Sequence, residues 1–375
     1  MKSPKILILY ASYGDGHYQA SKAIEDRFHA KGYTDVVLLD LMAEAHPMLN
    51  ELTKFVYMQS FKTIPAFYGW VYNATKDMQP GRPFSNLLHS IGITKLQQLI
   101  SEAAPDLIIH TFPQLVMPRL LKKTGLALPL VNVLTDFDIH GRWIHPGVDR
   151  YYVATEDLKA ELVTKGVPEE RVLASGIPLK AGFGESREDR CNNSGKRNVL
   201  LMAGAFGVMQ GLRDICHALT LSGQYHITVV CGKNKELYRN LQTAFGGHPD
   251  IDLYGFVENI PDLMAASDCI ITKPGGITLS EAIASRLPLF LYRPVPGQEL
   301  NNALYLEGKG IATIAYDPYE LALDIEALFR NEERRAGLLE TLEELSRPHA
   351  ANTIVEDLIG QYLSAPAASL LLQQQ

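Results

Sequence analysis

The feature that most constrains the fold of this chain is a repeated alternation of short apolar runs with amphipathic helical stretches. The runs fall into two sets, at 5–10, 35–41, 106–110, 130–134 and 151–154, then at 198–203, 226–230, 251–255, 268–272 and 288–292. Continuous apolar runs are typical of strands buried on both faces, and strands that alternate with helices form parallel sheets covered by helices. The sequence therefore predicts an α/β protein with two doubly wound, Rossmann-like domains.

The boundary between the two domains is predicted at residues 182–198, a polar, charged and glycine-containing stretch typical of a linker. The 375 residues are enough for two hydrophobic cores. We expect an N-terminal domain over 1–181, a C-terminal domain over 182–347, and a final helical segment over 348–375 that could pack back on the N-terminal domain. Because open α/β sheets bind ligands at the carboxyl ends of their strands, the site is expected in the cleft between the domains.

Composition excludes several classes of protein. The chain carries 35 Lys and Arg against 42 Asp and Glu, a net charge of −7, which argues against a nucleic-acid binder. No apolar run reaches the roughly 18 residues that span a bilayer. The 4 cysteines form no C-x-x-C pair and are interpreted as free thiols of a reducing compartment. We expect a cytoplasmic protein that touches a membrane only at its surface.

A glycine loop follows the first strand, in the stretch YGDGH at residues 13–17. Gly14 and Gly16 are expected to let the backbone approach a ligand and to direct helix N–H groups at an anion. A dinucleotide site is one interpretation, supported by Asp40 at the end of the next strand. However, Gln19 stands where the fingerprint requires a third glycine. A nicotinamide-dependent oxidoreductase is therefore a remote alternative.

The second half carries two further strand–turn–helix stretches, TKPGGITLSEA from 272 and PVPGQELNNALYL from 294. Glycine turns before helices favour phosphate binding, a carboxylate can accept hydrogen bonds from a ribose diol, and amide and carboxylate groups suit a hexose. Loops after three other strands are expected to line the same site, with a backbone edge for uracil. The predicted donor-site residues are Gly204, Phe206, Gly207, Gly232, Asn234, Phe256, Val257, Lys273, Gly275, Gly276, Thr278, Glu281, Gln298, Glu299 and Asn302.

These motifs, together with YGDGH and LTDFDIHGRW (134–143), resemble the GT-B glycosyltransferases. The resemblance is strongest to the processive diacylglycerol glycosyltransferases and monogalactosyldiacylglycerol synthases, which look related to the N-acetylglucosaminyltransferase of peptidoglycan synthesis. It implies a C-terminal domain that holds the UDP-sugar and an N-terminal domain that holds a lipid. The implied reaction is inverting transfer of a hexose, from UDP-glucose or UDP-galactose, to diacylglycerol at the inner face of the cell membrane.

An inverting transfer needs a base near the attacking hydroxyl, and two residues are candidates for it. His17 closes the first glycine loop, and Asp136 lies just past a first-half strand. The sequence does not choose between them. Asp136 and Asp138 also read as an Asp-x-Asp metal clamp, but helix ends and glycine loops already supply charge stabilisation. We therefore expect no metal and no cofactor.

An aromatic-rich stretch at 55–72 is interpreted as a guide for the acyl chains of the lipid, because such side chains suit a site with one apolar and one wet end. Core packing is the alternative for any single member. A different acceptor, such as a polyprenyl-linked sugar or a small molecule, and a sugar sensor without turnover are further alternatives. The predicted acceptor-site residues are Gly14, Gly16, Tyr57, Phe61, Phe67, Tyr68, Trp70 and Tyr72.

Overall fold

The structure is a computed structural model that describes residues 3–11, 15–40, 43, 69, 93–113, 116–184 and 195–363. The chain divides into two compact units. One consists of Met1–Lys180 with His349–Gln375, and the other of Ala181–Pro348. Each described unit is built on a parallel sheet of six strands. The α/β fold class predicted from the alternating runs is confirmed.

The sheet of the first unit has the strand order β2-β1-β3-β4-β5-β6, with every neighbouring pair parallel. Its strands are β1 Ile6–Tyr10, β2 Val36–Asp40, β3 Leu107–His110, β4 Leu130–Val133, β5 Arg150–Val153 and β6 Val172–Ala174. The helices of this unit among the described residues are Asp15–Ala30, Ile93–Ala103, Val116–Thr124, Glu156–Thr164 and Ala350–Leu358, with 3₁₀ turns at Gly141–Trp143 and Glu169–Arg171.

The last helix among the described residues, Ala350–Leu358, belongs to the hydrophobic core of this first unit. Ile354, Val355 and Leu358 are fully buried in the same cluster as Ile6 of β1 and Ile24 of the first helix. Their spacing of one, three and four residues places them on one face of a helix. The helix continues as a π-helical turn over Ile359–Leu363.

A polar contact fixes this last helix to the sheet. The Asp357 carboxylate accepts two hydrogen bonds from the Arg150 guanidinium, at 2.8 and 2.9 Å, and one from the Tyr152 hydroxyl at 2.7 Å. Burial and the Asp357 charge both raise the pKa of Tyr152 above its ordinary value. Burial disfavours the charge of Arg150, but Asp357 outweighs it and holds the pKa of the guanidinium above its usual range.

The sheet of the second unit has the order β12-β11-β10-β7-β8-β9, again with every neighbouring pair parallel. Its strands are β7 Arg197–Met202, β8 Tyr225–Val230, β9 Ile251–Tyr254, β10 Cys269–Thr272, β11 Leu289–Tyr292 and β12 Ala312–Ala315. The described helices are Leu212–Thr220, Lys235–Phe245, Ile260–Ala265, Gly276–Ala284, Gln298–Gly308, Pro318–Arg330 and Glu332–Leu345.

The structure differs from the sequence prediction in two details of this architecture. Strands β6 and β12 were not predicted, because β6 has only three residues and the four residues of β12 include a threonine, so neither gives a long apolar run. The predicted linker 182–198 extends too far, since Arg197 already begins β7.

Among the described residues, no helix is long and apolar enough to cross a membrane.

Candidate active site

In the first unit, the predicted residue His17 lies in the first turn of the helix that follows β1. This helix begins at Asp15, so Gly16 lies in its first turn. The sequence pattern had placed Gly16 in the loop before the helix. The partly buried imidazole Nδ1 lies 2.7 Å from the Thr111 carbonyl oxygen and 3.0 Å from Thr135 Oγ1. The Phe112 ring meets the imidazole edge to face, with centroids 5.2 Å apart. The carboxyl ends of β1, β3 and β4 thus converge on one histidine.

The environment of His17 favours the neutral imidazole. Burial lowers its pKa below the ordinary value, and the nearby Asp136 carboxylate opposes this in part. Asp136 is itself buried, while Asp138 is half-buried. The two base candidates are therefore close enough to interact. No group of three or more His, Cys, Asp or Glu side chains in the described parts of the chain has a metal-binding arrangement.

A second neutral histidine lies behind this edge of the sheet. His110, the last residue of β3, is fully buried, and burial lowers its pKa to about 3. It pairs in register with Asn132 of β4, which donates a hydrogen bond to the Trp143 carbonyl oxygen. His110 immediately precedes Thr111, whose carbonyl oxygen contacts His17.

The predicted acceptor-site aromatics lie outside the described residues. This applies to Tyr57, Phe61, Phe67, Tyr68, Trp70 and Tyr72, and also to Gly14. Their role in lipid binding stays a prediction.

In the second unit, the KPGG motif at 273–276 follows β10, and its last glycine begins the helix Gly276–Ala284. This helix begins two residues earlier than the predicted start near Thr278. Its N-cap residue, Gly275, has no side chain that could accept from the first-turn N–H groups, and it is exposed. Helix N-termini of this kind present N–H groups and a positive dipole end to an anion. Glu281, in the second turn, and Thr278 are half-buried.

The second motif of this unit, PGQELNN, is tied directly to the first. Lys273 Nζ forms an ion pair with Glu299 Oε1 at 2.7 Å, and both side chains are mostly buried. The fully buried Asn302 donates through Nδ2 to the Pro274 carbonyl oxygen at 3.1 Å. Glu299 Oε2 also accepts from the Val295 N–H. These contacts hold the two predicted donor loops together, with the half-buried Gln298 in the first turn of the following helix.

Two glycines allow the loops after β7 and β8 to pack against each other. Gly207 and Gly232 have φ angles of +61° and +60°, in the left-handed region that favours glycine. A Cβ on Gly232 would lie 2.5 Å from the Ala205 carbonyl oxygen, and closer still to that of Gly204. Asn234 completes the contact, donating to the Gly207 carbonyl oxygen and capping the helix at Leu237 N–H. Gly204, with φ of +77°, faces open space.

We expect Gly232→Ala to separate these two loops. The added methyl group meets backbone oxygens that cannot rotate away, and alanine is also strained at positive φ. The loss of folding stability should be about 1–3 kcal/mol, and nucleotide affinity should fall because the loops no longer pack together. Calorimetric titration with UDP and thermal unfolding measure the two effects. Gly223→Ala is the control, because its φ is +64° but its added Cβ meets nothing within 4 Å. Equal behaviour of the two variants would contradict a role for loop packing.

Lys233 is a candidate site residue that the sequence analysis did not predict, although it predicted the loop after β8 in which Lys233 lies. The Lys233 ammonium lies over the Phe206 and Phe256 rings, at 5.5 and 5.1 Å from their centroids. Both rings are exposed, at 40% and 52%, which is unusual for side chains of this size. Loops after β7, β8 and β9 therefore meet in an aromatic–cation cluster, adjoined by the half-buried Val257.

Known protein families match both parts of the chain. The monogalactosyldiacylglycerol (MGDG) synthase family matches residues 17–179, and the glycosyl transferases group 1 family matches residues 185–343. A processive diacylglycerol beta-glucosyltransferase of Bacillus cereus (strain AH187) is 38% identical over 370 residues, which cover 96% of this chain and 95% of the relative. The same values hold for the enzyme of that name from Bacillus anthracis (strain A0248). The chain belongs to the processive diacylglycerol glycosyltransferase family.

Solved structures place this processive diacylglycerol glycosyltransferase family member in the GT-B fold. MurG from Acinetobacter baumannii aligns over 96% of this chain and 100% of its own, with a TM-score of 0.63 and 16% identity. MnaA from S. aureus, solved with UDP, aligns over 96% of this chain and 97% of its own, with a TM-score of 0.61 and 15% identity. The GT-B prediction is confirmed, and the oxidoreductase alternative is set aside.

Proposed function

We propose that this protein transfers glucose from UDP-glucose to diacylglycerol, with inversion at the anomeric carbon. The observation that supports the proposal is that the two predicted donor loops, at 273–276 and 297–302, are joined by an ion pair and a hydrogen bond. The chain's relatives are named as diacylglycerol beta-glucosyltransferases. The relatives' names favour glucose over galactose. A polyprenyl-linked sugar or a small molecule is the competing acceptor.

The second unit is the proposed donor-binding part. First-turn N–H groups of the helix that starts at Gly276 would stabilise the diphosphate, and Glu281 would accept hydrogen bonds from the ribose hydroxyls. Phe256 and Val257 would present a backbone edge to uracil. Gln298 and Glu299 would contact the hexose, with Glu299 oriented for that by its ion pair to Lys273. Asn234 and Asn302 would act indirectly, because their side chains brace the loops.

The first unit is the proposed source of the base. In the transfer, the C1–O bond to the diphosphate breaks and its electron pair leaves with UDP. The acceptor hydroxyl oxygen forms the new C1–O bond, and its proton passes to a ring nitrogen of His17. Asp136 then stabilises the imidazolium through its negative charge. The N–H groups at the helix start would replace a divalent cation on the leaving diphosphate.

The activity is tested by incubating the purified protein with UDP-[¹⁴C]glucose or UDP-[¹⁴C]galactose and vesicles that contain diacylglycerol. We expect label from UDP-glucose in a lipid that chromatography separates as a monoglucosyl product, followed by longer glycosides. Vesicles of phosphatidylcholine alone are the control. Binding of UDP-glucose without labelled lipid would contradict the proposed acceptor, and release of free glucose or UDP at the same rate from both vesicle types would contradict transfer to a lipid.

Glu281→Ala should weaken UDP binding by about 1.5–3 kcal/mol, the range for hydrogen bonds to a charged group. The reason is that each ribose hydroxyl would lose its carboxylate acceptor. Calorimetric titration with UDP measures the loss of affinity. Pyrophosphate, which has neither ribose nor uracil, should bind the wild type and the variant equally well. Glu333→Ala, on an exposed helix of the same unit, is the matched control. An unchanged affinity for UDP in folded Glu281→Ala would remove this residue from the donor site.

A further inference from the structure

The hydrogen bonds of His17 determine where its ring hydrogen lies. Nδ1 is 2.7 Å from the Thr111 carbonyl oxygen, and a carbonyl oxygen can only accept. Nδ1 must therefore carry a hydrogen, in the neutral ring as well as in the imidazolium. Thr135 Oγ1, at 3.0 Å from the same nitrogen, then acts as a second acceptor. In the neutral ring, this leaves the lone pair on Nε2.

We propose that the Thr111 carbonyl and the Thr135 hydroxyl are positioning groups that hold His17 in the Nδ1–H tautomer, so that Nε2 is the atom that takes the acceptor proton. This inference rests on the proposed function, in which His17 is the base. A free imidazole interconverts between both tautomers, and the wrong one places a hydrogen where the base needs a lone pair. Fixing the tautomer raises the fraction of protein that is ready to react.

The residue that carries this carbonyl, Thr111, is linked to the first helix and to β1 by hydrogen bonds of its hydroxyl and its N–H. Ser21 Oγ donates to the His17 carbonyl oxygen at 2.9 Å and lies 2.9 Å from Thr111 Oγ1. The Thr111 N–H donates to the Leu9 carbonyl oxygen of β1. Ser21 and Thr111 are fully buried, and Thr135 is 3% exposed. Buried hydroxyls that are satisfied in this way specify one arrangement.

An aromatic side chain also contacts the imidazole ring. The Phe112 ring meets it at an interplanar angle of 80°. A half-turn of the imidazole about its bond to Cβ would replace Nδ1 by a carbon atom opposite the Thr111 oxygen, and the hydrogen bond would be lost. Packing and hydrogen bonding therefore favour the same orientation.

Asp136 has a different and complementary effect on the same ring. It acts through its charge, which raises the pKa of His17 against the effect of burial. Orientation comes from Thr111 and Thr135, and charge stabilisation comes from Asp136. We therefore expect Asp136→Asn to alter the pKa of His17 while leaving its tautomer unchanged.

The tautomer is measured by two-bond ¹H–¹⁵N correlation spectra of the full-length protein labelled with ¹⁵N-histidine, at a pH where the ring is neutral. His17→Gln assigns the signal. We expect a protonated Nδ1 and a bare Nε2. Thr135→Val should introduce the other tautomer and lower kcat by about two- to tenfold, the range for one neutral hydrogen bond, with an unchanged KM for UDP-glucose. Thr135→Ser, which keeps the hydroxyl, should restore both readouts.

Two outcomes overturn the inference. One is a wild-type His17 with the hydrogen on Nε2 or with an equal mixture of tautomers, and the other is a Thr135→Val protein whose tautomer and kcat match the wild type. The tautomer readout in both is independent of the proposed function, because it is measured without substrate. If His17→Gln keeps its turnover while the wild-type spectrum shows Nδ1–H, the base assignment fails and the tautomer assignment stands. If His17→Gln loses turnover while the spectrum shows Nε2–H, the reverse holds.

Discussion

His17→Ala should lower kcat about 10²- to 10⁴-fold, the usual contribution of a general base. Substitution by alanine removes the group that accepts the proton from the acceptor hydroxyl, whereas the proposed UDP-binding loops belong to the second unit of the chain. UDP affinity, measured by calorimetry, should therefore change little. Turnover is measured with labelled UDP-glucose and diacylglycerol vesicles. A variant that keeps most of its turnover would exclude His17 as the base and leave Asp136 as the candidate.

The pH dependence of kcat adds a second test of the same residue. His17 must be neutral to act, and burial lowers its pKa below the ordinary value of about 6.5. Activity should hold as the pH falls through 6.5 and decline only at the lower pKa, where the ring gains a proton. In Asp136→Asn, loss of the negative charge should move this decline to still lower pH. A decline that stays in place in His17→Ala would assign it to another group.

Asp357→Ala should destabilise the first unit by about 3 kcal/mol, the lower end of the range for breaking a buried ion pair. The substitution leaves the mostly buried Arg150 guanidinium without its bidentate partner and removes the acceptor of the Tyr152 hydroxyl. Because the chain has two compact units, global unfolding is not expected to be two-state. Hydrogen exchange at the amides of β1 and β3 measures the local loss.

Two further variants distinguish the Asp357 contacts with Arg150 and Tyr152 from general effects of substitutions in the last helix. Glu356→Ala removes the neighbouring ion pair to Lys31, which is exposed, and should change exchange little. Tyr152→Phe removes one hydrogen bond to Asp357 and should cost about 1 kcal/mol. If Asp357→Ala and Glu356→Ala behave alike, the helix is held by its apolar face alone.

Much of the fold could be predicted from the sequence, because local patterns determine it. Residues 6–9 and 269–271 are apolar throughout, and they lie in β1 and β10. The short strands β6 and β12 were missed because a few half-buried residues carry no periodic signal. The helix start at Gly276 was placed too late because an N-cap glycine offers no side-chain signature.

The candidate site was less predictable, because its contacts join residues that are distant in sequence. Thr111 lies 94 residues from His17, and Thr135 lies 118 residues from it. No pattern marks a carbonyl or hydroxyl as the partner of a given histidine. Polar residues near a glycine loop are also ambiguous in sequence. Asn302 is predicted in the donor site, and its buried side chain donates to the Pro274 carbonyl oxygen, a contact that no sequence pattern indicates.

The position of the last helix has a consequence for the synthesis of the protein. Ile354, Val355 and Leu358 complete a hydrophobic core whose other members are translated before residue 181. At about 5–20 residues per second, ribosomes need roughly 9–35 s to add the intervening chain. During that interval the second unit can fold as it emerges, while the nascent first unit exposes the apolar surface that this helix will cover. The first part to be synthesised is thus the last to be finished, and it is the part that chaperones are expected to bind.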